Sequence, residues 1–335
     1  MALALRGRIH ISHQFELLKL YPEIEFNYLI NHTRRWGDQA RPMPKHLNWV
    51  THYEKGRYDL AILHVDQQCL LPDLGKSVLF REVREQVTDI PIIVVNHGTP
   101  TYPERFNQCA KEAGMEENEQ AGIEWARKEM RKLLEGVDVM VVNSYQAAEE
   151  WGWGVPIIHG LDPDEWWDLP KEPRIVTFIS PGGMGNKYYG RLLFGETRNI
   201  LREKYGMELV WIGEEKVCKD WDDYRDFLGR SLVYFNPTFG SPMPRTRTES
   251  MMSGCCVVTT KYHDADRFIK DGVNGFLIKN NPEDAAKRLA WCMEHYRECV
   301  EIGKRGRETA IEKFHISRFK RQWMELINKV LTRKQ

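Results

Sequence analysis

Glu249 is the carboxylate whose neighbours suggest chemistry most directly. It stands in Pro244-Arg245-Thr-Arg-Thr-Glu249-Ser-Met-Met-Ser-Gly254, ahead of the β-branched run Cys255-Cys-Val-Val-Thr-Thr260. The small and apolar residues behind it predict a short helix that Glu249 opens and Gly254 ends. A carboxylate so placed can accept charge-assisted hydrogen bonds from a vicinal diol, or simply favour the helix dipole. A second feature is Ser180-Pro-Gly182-Gly183-Met-Gly185-Asn-Lys187, between a strand-like run and a helical pattern of Leu192, Leu193, Ile200 and Leu201. A glycine-rich strand-to-helix turn frees backbone N–H groups at a positive helix end, so an anion fits there. Third, His97 follows the apolar run 91–96, and His64 and Asp66 end the run 59–66. Side chains at such strand ends face the crevice of an open α/β sheet. There His97 can donate to a hydroxyl or, through its backbone, stabilise developing charge, and Asp66 or His64 can orient a hydroxyl. His13 and Arg34-Arg35-Trp36 follow the first two strands in the same way.

These groups must be held by two sets of alternating strands and helices. The first set of strands is expected at 8–12, 25–30, 47–50, 59–64, 91–96 and 138–143, and several are near-continuous Val/Ile/Leu runs, as in a parallel sheet covered on both faces. Between them the clearest helix is 118–135, where Ile123, Ala126, Met130, Leu133 and Leu134 keep helical spacing. A second set is expected at 174–180, 208–212, 232–236, 255–260 and 275–278, with helices at about 187–204, 282–296 and 297–312. A last helix, 317–331, carries Phe319, Trp323, Leu326, Ile327 and Val330 on one stripe. Alternation of this kind predicts doubly wound α/β domains.

The order of the glutamate helix, Gly254, strand 255–260, a polar loop, a one-turn helix and Asp271-Gly272-Val-Asn-Gly275 resembles the nucleotide-sugar half of family 4 (group 1) glycosyltransferases. There a Glu sits in Glu-Ala-Met-x-x-Gly-x-Pro-Val-Val, and the chain continues to Asp-Gly-x-Asn-Gly. Val155-Pro-Ile-Ile-His159-Gly160-Leu-Asp162 is similar to that family's interdomain Ile-Pro-Asn-Gly-Val-Asp, with His159 in place of Asn. The resemblance implies the GT-B fold, two facing Rossmann-like domains with a cleft between them. The boundaries expected are 1–156 for an acceptor domain, 157–315 for a nucleotide-sugar domain and 316–335 for a helix crossing back to the first. It also implies that Glu249 holds the donor ribose, that Lys187 neutralises the departing diphosphate above Gly182 and Gly183, and that His97 lies beside the donor sugar. Two positions depart from the pattern. The family's Arg falls near Pro181 or Gly182, which shifts that contact to Arg191 or Arg245. Its first Glu, which touches the donor sugar, is Ser241 here.

The length of 335 residues suits two domains. The longest apolar runs, such as Pro91-Ile-Ile-Val-Val95, are far short of the ~20 residues that a membrane span needs. Residues 1–5 are too short for a secretory signal. Seven scattered cysteines with no C-x-x-C pair indicate neither a zinc site nor a disulfide framework and are expected as buried thiols in the cytoplasm. Net charge is zero overall but −4 over 1–160 (18 Lys/Arg, 22 Asp/Glu) and +4 over 161–335 (30 and 26), a modest basic bias in the half expected to hold a diphosphate. Asp220-Trp-Asp222-Asp223 has the Asp-x-Asp form of a metal motif, yet it precedes a predicted helix at 224–229 instead of ending a strand, and is read as no metal site. Trp166 and Trp167 are read as packing.

The expected activity is therefore transfer of a sugar from a nucleoside-diphosphate sugar, taken as a UDP-sugar, to an acceptor hydroxyl. Neither cofactor nor metal is required, and the resemblance implies retention of anomeric configuration. The donor is assigned to Glu249, Lys187, Gly183, Gly182, Arg245 and Ser241, catalysis to His97 and Asp66, and the acceptor to His13, Arg35 and Trp36. The acceptor is a saccharide, a lipid-linked sugar or a small molecule. Two alternatives stand beside it: glycosylation of a hydroxymethylated DNA base, for which Arg34, Arg35, Arg41, Lys45 and Trp36 are the local cations and aromatic, and a non-catalytic nucleotide-sugar binder.

Overall fold

A computed structural model describes residues 2–6, 16–17, 19–20, 23–29, 47–102, 104–179 and 188–333. His13, Arg35, Trp36, Gly182, Gly183 and Lys187 lie outside the described residues. The described chain divides into two compact units, one running up to Ile158 and taking in the residues from Phe319 onward, the other spanning His159–Arg318.

In the first unit the strands are β1 (Ala2–Arg6), β2 (Glu25–Leu29), β3 (Leu47–Val50), β4 (Leu60–Val65), β5 (Ile92–Asn96), β6 (Val139–Val142) and β7 (Val155–Pro156). Helices α1 (Gly75–Gln86), α2 (Arg105–Glu112), α3 (Glu119–Leu133) and α4 (Tyr145–Trp151) connect them. Among the described residues they form one parallel sheet in the order β3-β2-β1-β4-β5-β6-β7. Every residue of β4 and β5 is buried, as a strand covered on both faces must be. Ala126 and Met130 of α3 pack with Val94, Phe106 and Trp151 in the core on one side. Helix starts follow local chemistry: the Asn118 side chain accepts from the Ala121 N–H, and Ser144 from Ala147.

One described strand was not expected. The run 8–12 lies outside the described residues, and the strand that pairs with both β2 and β4 is Ala2–Arg6. Its Ala-Leu-Ala-Leu segment is the uninterrupted apolar stretch, whereas 8–12 carries Arg8 and His10.

The second unit contains β8 (Glu172–Thr177), α5 (Arg191–Ile200), β9 (Leu209–Trp211), α6 (Trp221–Arg230), β10 (Ser231–Asn236), α7 (Arg245–Met252), β11 (Cys256–Thr260), α8 (Ala265–Phe268), β12 (Phe276–Ile278), α9 (Pro282–Glu294) and α10 (Tyr296–Phe314). Its parallel sheet runs β12-β11-β10-β8-β9. Helix α11 (Ile316–Thr332) ends the chain, with Phe319, Trp323 and Ile327 fully buried. Both sheets reverse their strand order once, between β1 and β4 and between β8 and β10. Such a reversal leaves a crevice at the carboxyl ends of the two diverging strands. Two parallel-sheet α/β units of the Rossmann type, as GT-B requires, are thus present. No described helix is long and apolar enough to cross a membrane.

Candidate functional site

In the second unit the diverging strands end at Thr177 (β8) and Asn236 (β10). Their ends are tied by a buried hydroxyl–amide network. Thr177 donates to the Phe235 carbonyl at 2.8 Å, the Asn236 amide to Thr259 at 2.9 Å, Thr238 to Asn236 at 3.0 Å, and Thr260 to the Thr238 carbonyl. Buried polar groups satisfied in this way hold a backbone rim rigidly. The loop after β10 is pinned from the other side, because the Tyr188 carbonyl accepts from the N–H groups of Phe239 (3.1 Å) and Gly240 (2.8 Å). Gly190 has φ +71°, and a Cβ there would lie 1.8 Å from the Pro237 carbonyl oxygen. Only glycine lets the chain leaving the 180–187 segment lie so close to that loop. Ser241 sits half-buried in the same loop.

Glu249 lies on α7, but in its second turn and not at its start. The helix begins at Arg245 because Pro244 sets the preceding φ at −58°. The dipole explanation for this carboxylate therefore weakens, since that effect fades beyond the first turn. The Glu249 side chain is 3 % exposed. One oxygen accepts from the Arg245 Nε at 3.0 Å and the other from the Tyr224 hydroxyl at 2.8 Å. Tyr224 is stacked against Trp221, and both meet Trp166 edge-on. Trp167 lies under the Arg225 guanidinium, 4.3 Å from its ring. Both tryptophans thus pack within the second unit. His159 meets the Thr248 hydroxyl, which donates to the Arg245 carbonyl at 2.9 Å and so fixes the first turn of α7. Arg247, fully buried, donates to the carbonyls of Tyr262 (3.1 Å) and His263 (2.7 Å), and burial lowers its pKa to about 10. His263 meets the Phe239 carbonyl, and burial holds its imidazole down at about 4. Arg191, the other stand-in for the family's arginine, lies 5.4 Å from the Trp211 ring.

The acidic triplet is structural. Asp220 caps α6, accepting from the Asp223 N–H at 2.8 Å, and the helix begins at Trp221, three residues before the expected 224. Asp223 pairs with Lys216 at 3.2 Å and Asp222 with Arg225 at 2.5 Å.

In the first unit His64 and His97 do meet. Their rings stack at 5.1 Å, with 2.8 Å between His64 Nδ1 and His97 Nε2. The Asn143 amide reaches His97 Nδ1 at 2.9 Å. With that amide donating, His97 carries its proton on Nε2 and gives it to His64 Nδ1. Both ring nitrogens of His97 are thereby engaged inside the unit. That redirects the expectation that the ring donates to a sugar hydroxyl towards the backbone alternative. The backbone itself is firmly placed: His97 N–H bonds the Val65 carbonyl at 2.8 Å, and Trp151 Nε1 bonds the Gly98 carbonyl at 2.8 Å. Asp66, expected as a catalytic group, caps the turn Gln67–Leu70 by accepting from the Gln68 N–H at 2.8 Å, and it also binds Lys76. Its oxygens brace the loop.

Residues 216–309 match the family model of the glycosyl transferases, group 1. That segment holds Tyr224, Arg245 and Glu249, and the enzyme class it carries is glycosyltransferase. No curated protein matches the chain by sequence. Among solved structures it is similar to a sucrose-phosphate synthase from Thermosynechococcus elongatus, at 13% identity and a TM-score of 0.68 over 99% of each chain. It is also similar to HepE of Anabaena in complex with UDP-glucose (14% identity, TM-score 0.65, 98% of this chain and 100% of that one). A glycosyltransferase from Rickettsia africae matches at 14% identity and a TM-score of 0.64, over 98% of both chains. At these identities the likeness is one of fold.

Sequence reasoning did not single out Tyr224, His263 or Asn143 for the site. Tyr224 is 25 residues from the carboxylate it holds, and Asn143 is 46 from His97. The legible signal was local: Tyr224 follows the Asp220 cap on one helix face with Trp221, and Asn143 directly follows the strand beside the one that ends at Asn96.

Proposed function

We propose that the chain transfers a sugar from a nucleoside-diphosphate sugar to an acceptor hydroxyl, without a metal and with retention at the anomeric carbon. The donor belongs to the second unit. Glu249 accepts from the ribose diol, as a carboxylate with two acceptor oxygens can. The 180–187 segment and Lys187 take the diphosphate. The donor is read as a UDP-sugar by analogy with the HepE complex with UDP-glucose. Ser241 replaces a carboxylate at the sugar contact, so a neutral hydroxyl faces the donor sugar. Leaving-group charge and orientation supply most of the rate in such a reaction. Catalysis is assigned to the His97 backbone, held in the first unit by its clamped ring. The acidic triplet 220–223 is engaged in a cap and ion pairs, which supports metal-independence. The acceptor is assigned to the first unit and to His13, Arg35 and Trp36.

The observation that carries this reading is the buried Glu249, set by Tyr224 and Arg245 inside the segment that matches the group 1 glycosyl transferases. A thermal-shift series with UDP, GDP, ADP and dTDP tests it. One of the four should raise Tm in a concentration-dependent way. No shift with any of them would overturn the donor assignment.

A further inference from the structure

Three buried cysteines far apart in sequence converge in the second unit. Cys256 lies on β11, Cys292 on α9 and Cys299 on α10, and all three are 0% exposed. Their sulfurs lie within 4.8 Å of one another. Cys255 behaves differently: it is equally buried, but its thiol donates to the Leu228 carbonyl at 3.2 Å, as an isolated packed cysteine does.

The triangle has metal-site dimensions. Three points no more than 4.8 Å apart share a centre within about 2.8 Å (4.8/√3) of each, and a metal–thiolate bond is about 2.3 Å. Movements of about 0.5 Å, the difference of these lengths, would close all three bonds. A compensating cation stands close by. Arg288 precedes Cys292 by one turn of α9, and its guanidinium lies 4.3 Å from the Phe276 ring.

We propose that Cys256, Cys292 and Cys299 bind a soft, thiophilic d10 metal ion, monovalent copper, in a three-sulfur site. Among the described residues no fourth Cys, His, Asp or Glu joins the group. Structural zinc sites close with four ligands, whereas soft thiolate sets select Cu(I). On binding, each thiol releases its proton to solvent and each sulfur donates a lone pair to the metal. No electron is transferred. The bound ion would lock β11, which follows α7 directly, to α9 and α10. Cys69, Cys255, Cys256, Cys292 and Cys299 are buried free thiols as expected, while Cys109 and Cys218 are half-buried; the proposed site is independent of the nucleotide-sugar reading.

The test uses the full chain, reduced and kept anaerobic, titrated with Cu(I) against a chromophoric Cu(I) chelator and, in parallel, with Zn(II) against a zinc chelator. Wild type should hold one equivalent of Cu(I) in competition and lose Zn(II) to its chelator. Cys292→Ala and Cys299→Ala should each lose the stoichiometric equivalent, while the double variant Cys109→Ala/Cys218→Ala should keep it. Copper K-edge absorption on the wild-type complex needs no core substitution and should show three sulfur neighbours. Absence of a stoichiometric equivalent, a two-sulfur spectrum, or retention by Cys292→Ala and Cys299→Ala would overturn the site. Zinc held with three sulfurs and a fourth light atom would overturn the copper assignment.

Discussion

Replacing Glu249 by glutamine separates donor binding from framework more sharply than any other single change. The carboxylate accepts from Tyr224 at 2.8 Å and from Arg245 at 3.0 Å, with 3 % of its side chain exposed. Glutamine keeps the shape and one acceptor oxygen but loses the charge. If the ribose diol bonds this carboxylate, the loss of one charge-assisted hydrogen bond costs about 1.5–3 kcal/mol. Donor affinity should then fall by roughly ten- to a hundred-fold. A framework effect is also expected, because the Arg245 guanidinium, 14 % exposed, loses its counter-charge. Breaking a fully buried pair costs about 3–5 kcal/mol. Solvent still reaches Arg245, so about 1–3 kcal/mol, a Tm loss of several degrees, is the appropriate scale. Tyr224→Phe gauges the framework alone, removing one hydrogen bond worth about 1 kcal/mol. Calorimetric titration with UDP and with UDP-glucose, well below every variant's Tm, reads the two effects apart. A Glu249→Gln protein that melts earlier yet binds UDP with unchanged Kd would refute the ribose role and leave the residue as a brace for α7.

Three further outcomes are expected. Lys187→Ala should weaken UDP binding while leaving Tm unchanged, and equal Kd values in calorimetry would remove the residue from the diphosphate site. Gly190→Ala must hold alanine at φ +71° with its Cβ against the Pro237 carbonyl. Left-handed strain of about 1–2 kcal/mol plus overpacking of about 1–3 kcal/mol should show as a clear drop in urea midpoint. His263 gives stability a pH dependence of definite sign. Burial lowers its pKa from 6.5 to about 4, so the unfolded chain binds a proton between those values that the folded chain does not. Its contribution is complete above pH 6.5 and is lost as pH falls towards 4, by roughly 3 kcal/mol in all. His263→Asn, a residue that tolerates the local φ of 50°, should flatten the stability–pH slope in that window, and an unchanged slope would assign the effect to other groups.

Most strands were legible because their signal is local. The runs expected at 91–96 and 138–143 appear as Ile92–Asn96 and Val139–Val142, since unbroken Val/Ile stretches have no stable place except a doubly covered sheet. The helix expected at 118–135 is Glu119–Leu133, its start fixed by the Asn118 cap. The strand Ala2–Arg6 was not expected, because five residues are a weak signal alone and only pairing with β2 and β4 identifies it; the run 8–12 lies outside the described residues. Glu249 was singled out by its motif, but its place in the second turn of α7 was not, because Pro244 was not read as the signal that starts the helix at Arg245. What remained hidden was every partnership across sequence: Tyr224 with Glu249, His64 with His97, and the three thiols on β11, α9 and α10. These contacts arise from the packing of neighbouring strands and helices, and no periodicity in the chain encodes them.

Amide hydrogen exchange with and without a saturating nucleoside diphosphate tests the central claim, that the second unit grips the donor by its pyrophosphate and ribose. Slowed exchange should concentrate in the peptides covering 179–191 and 237–252, and Glu249→Gln should diminish it. Protection confined to other segments of the chain, with these two unchanged, would contradict the account.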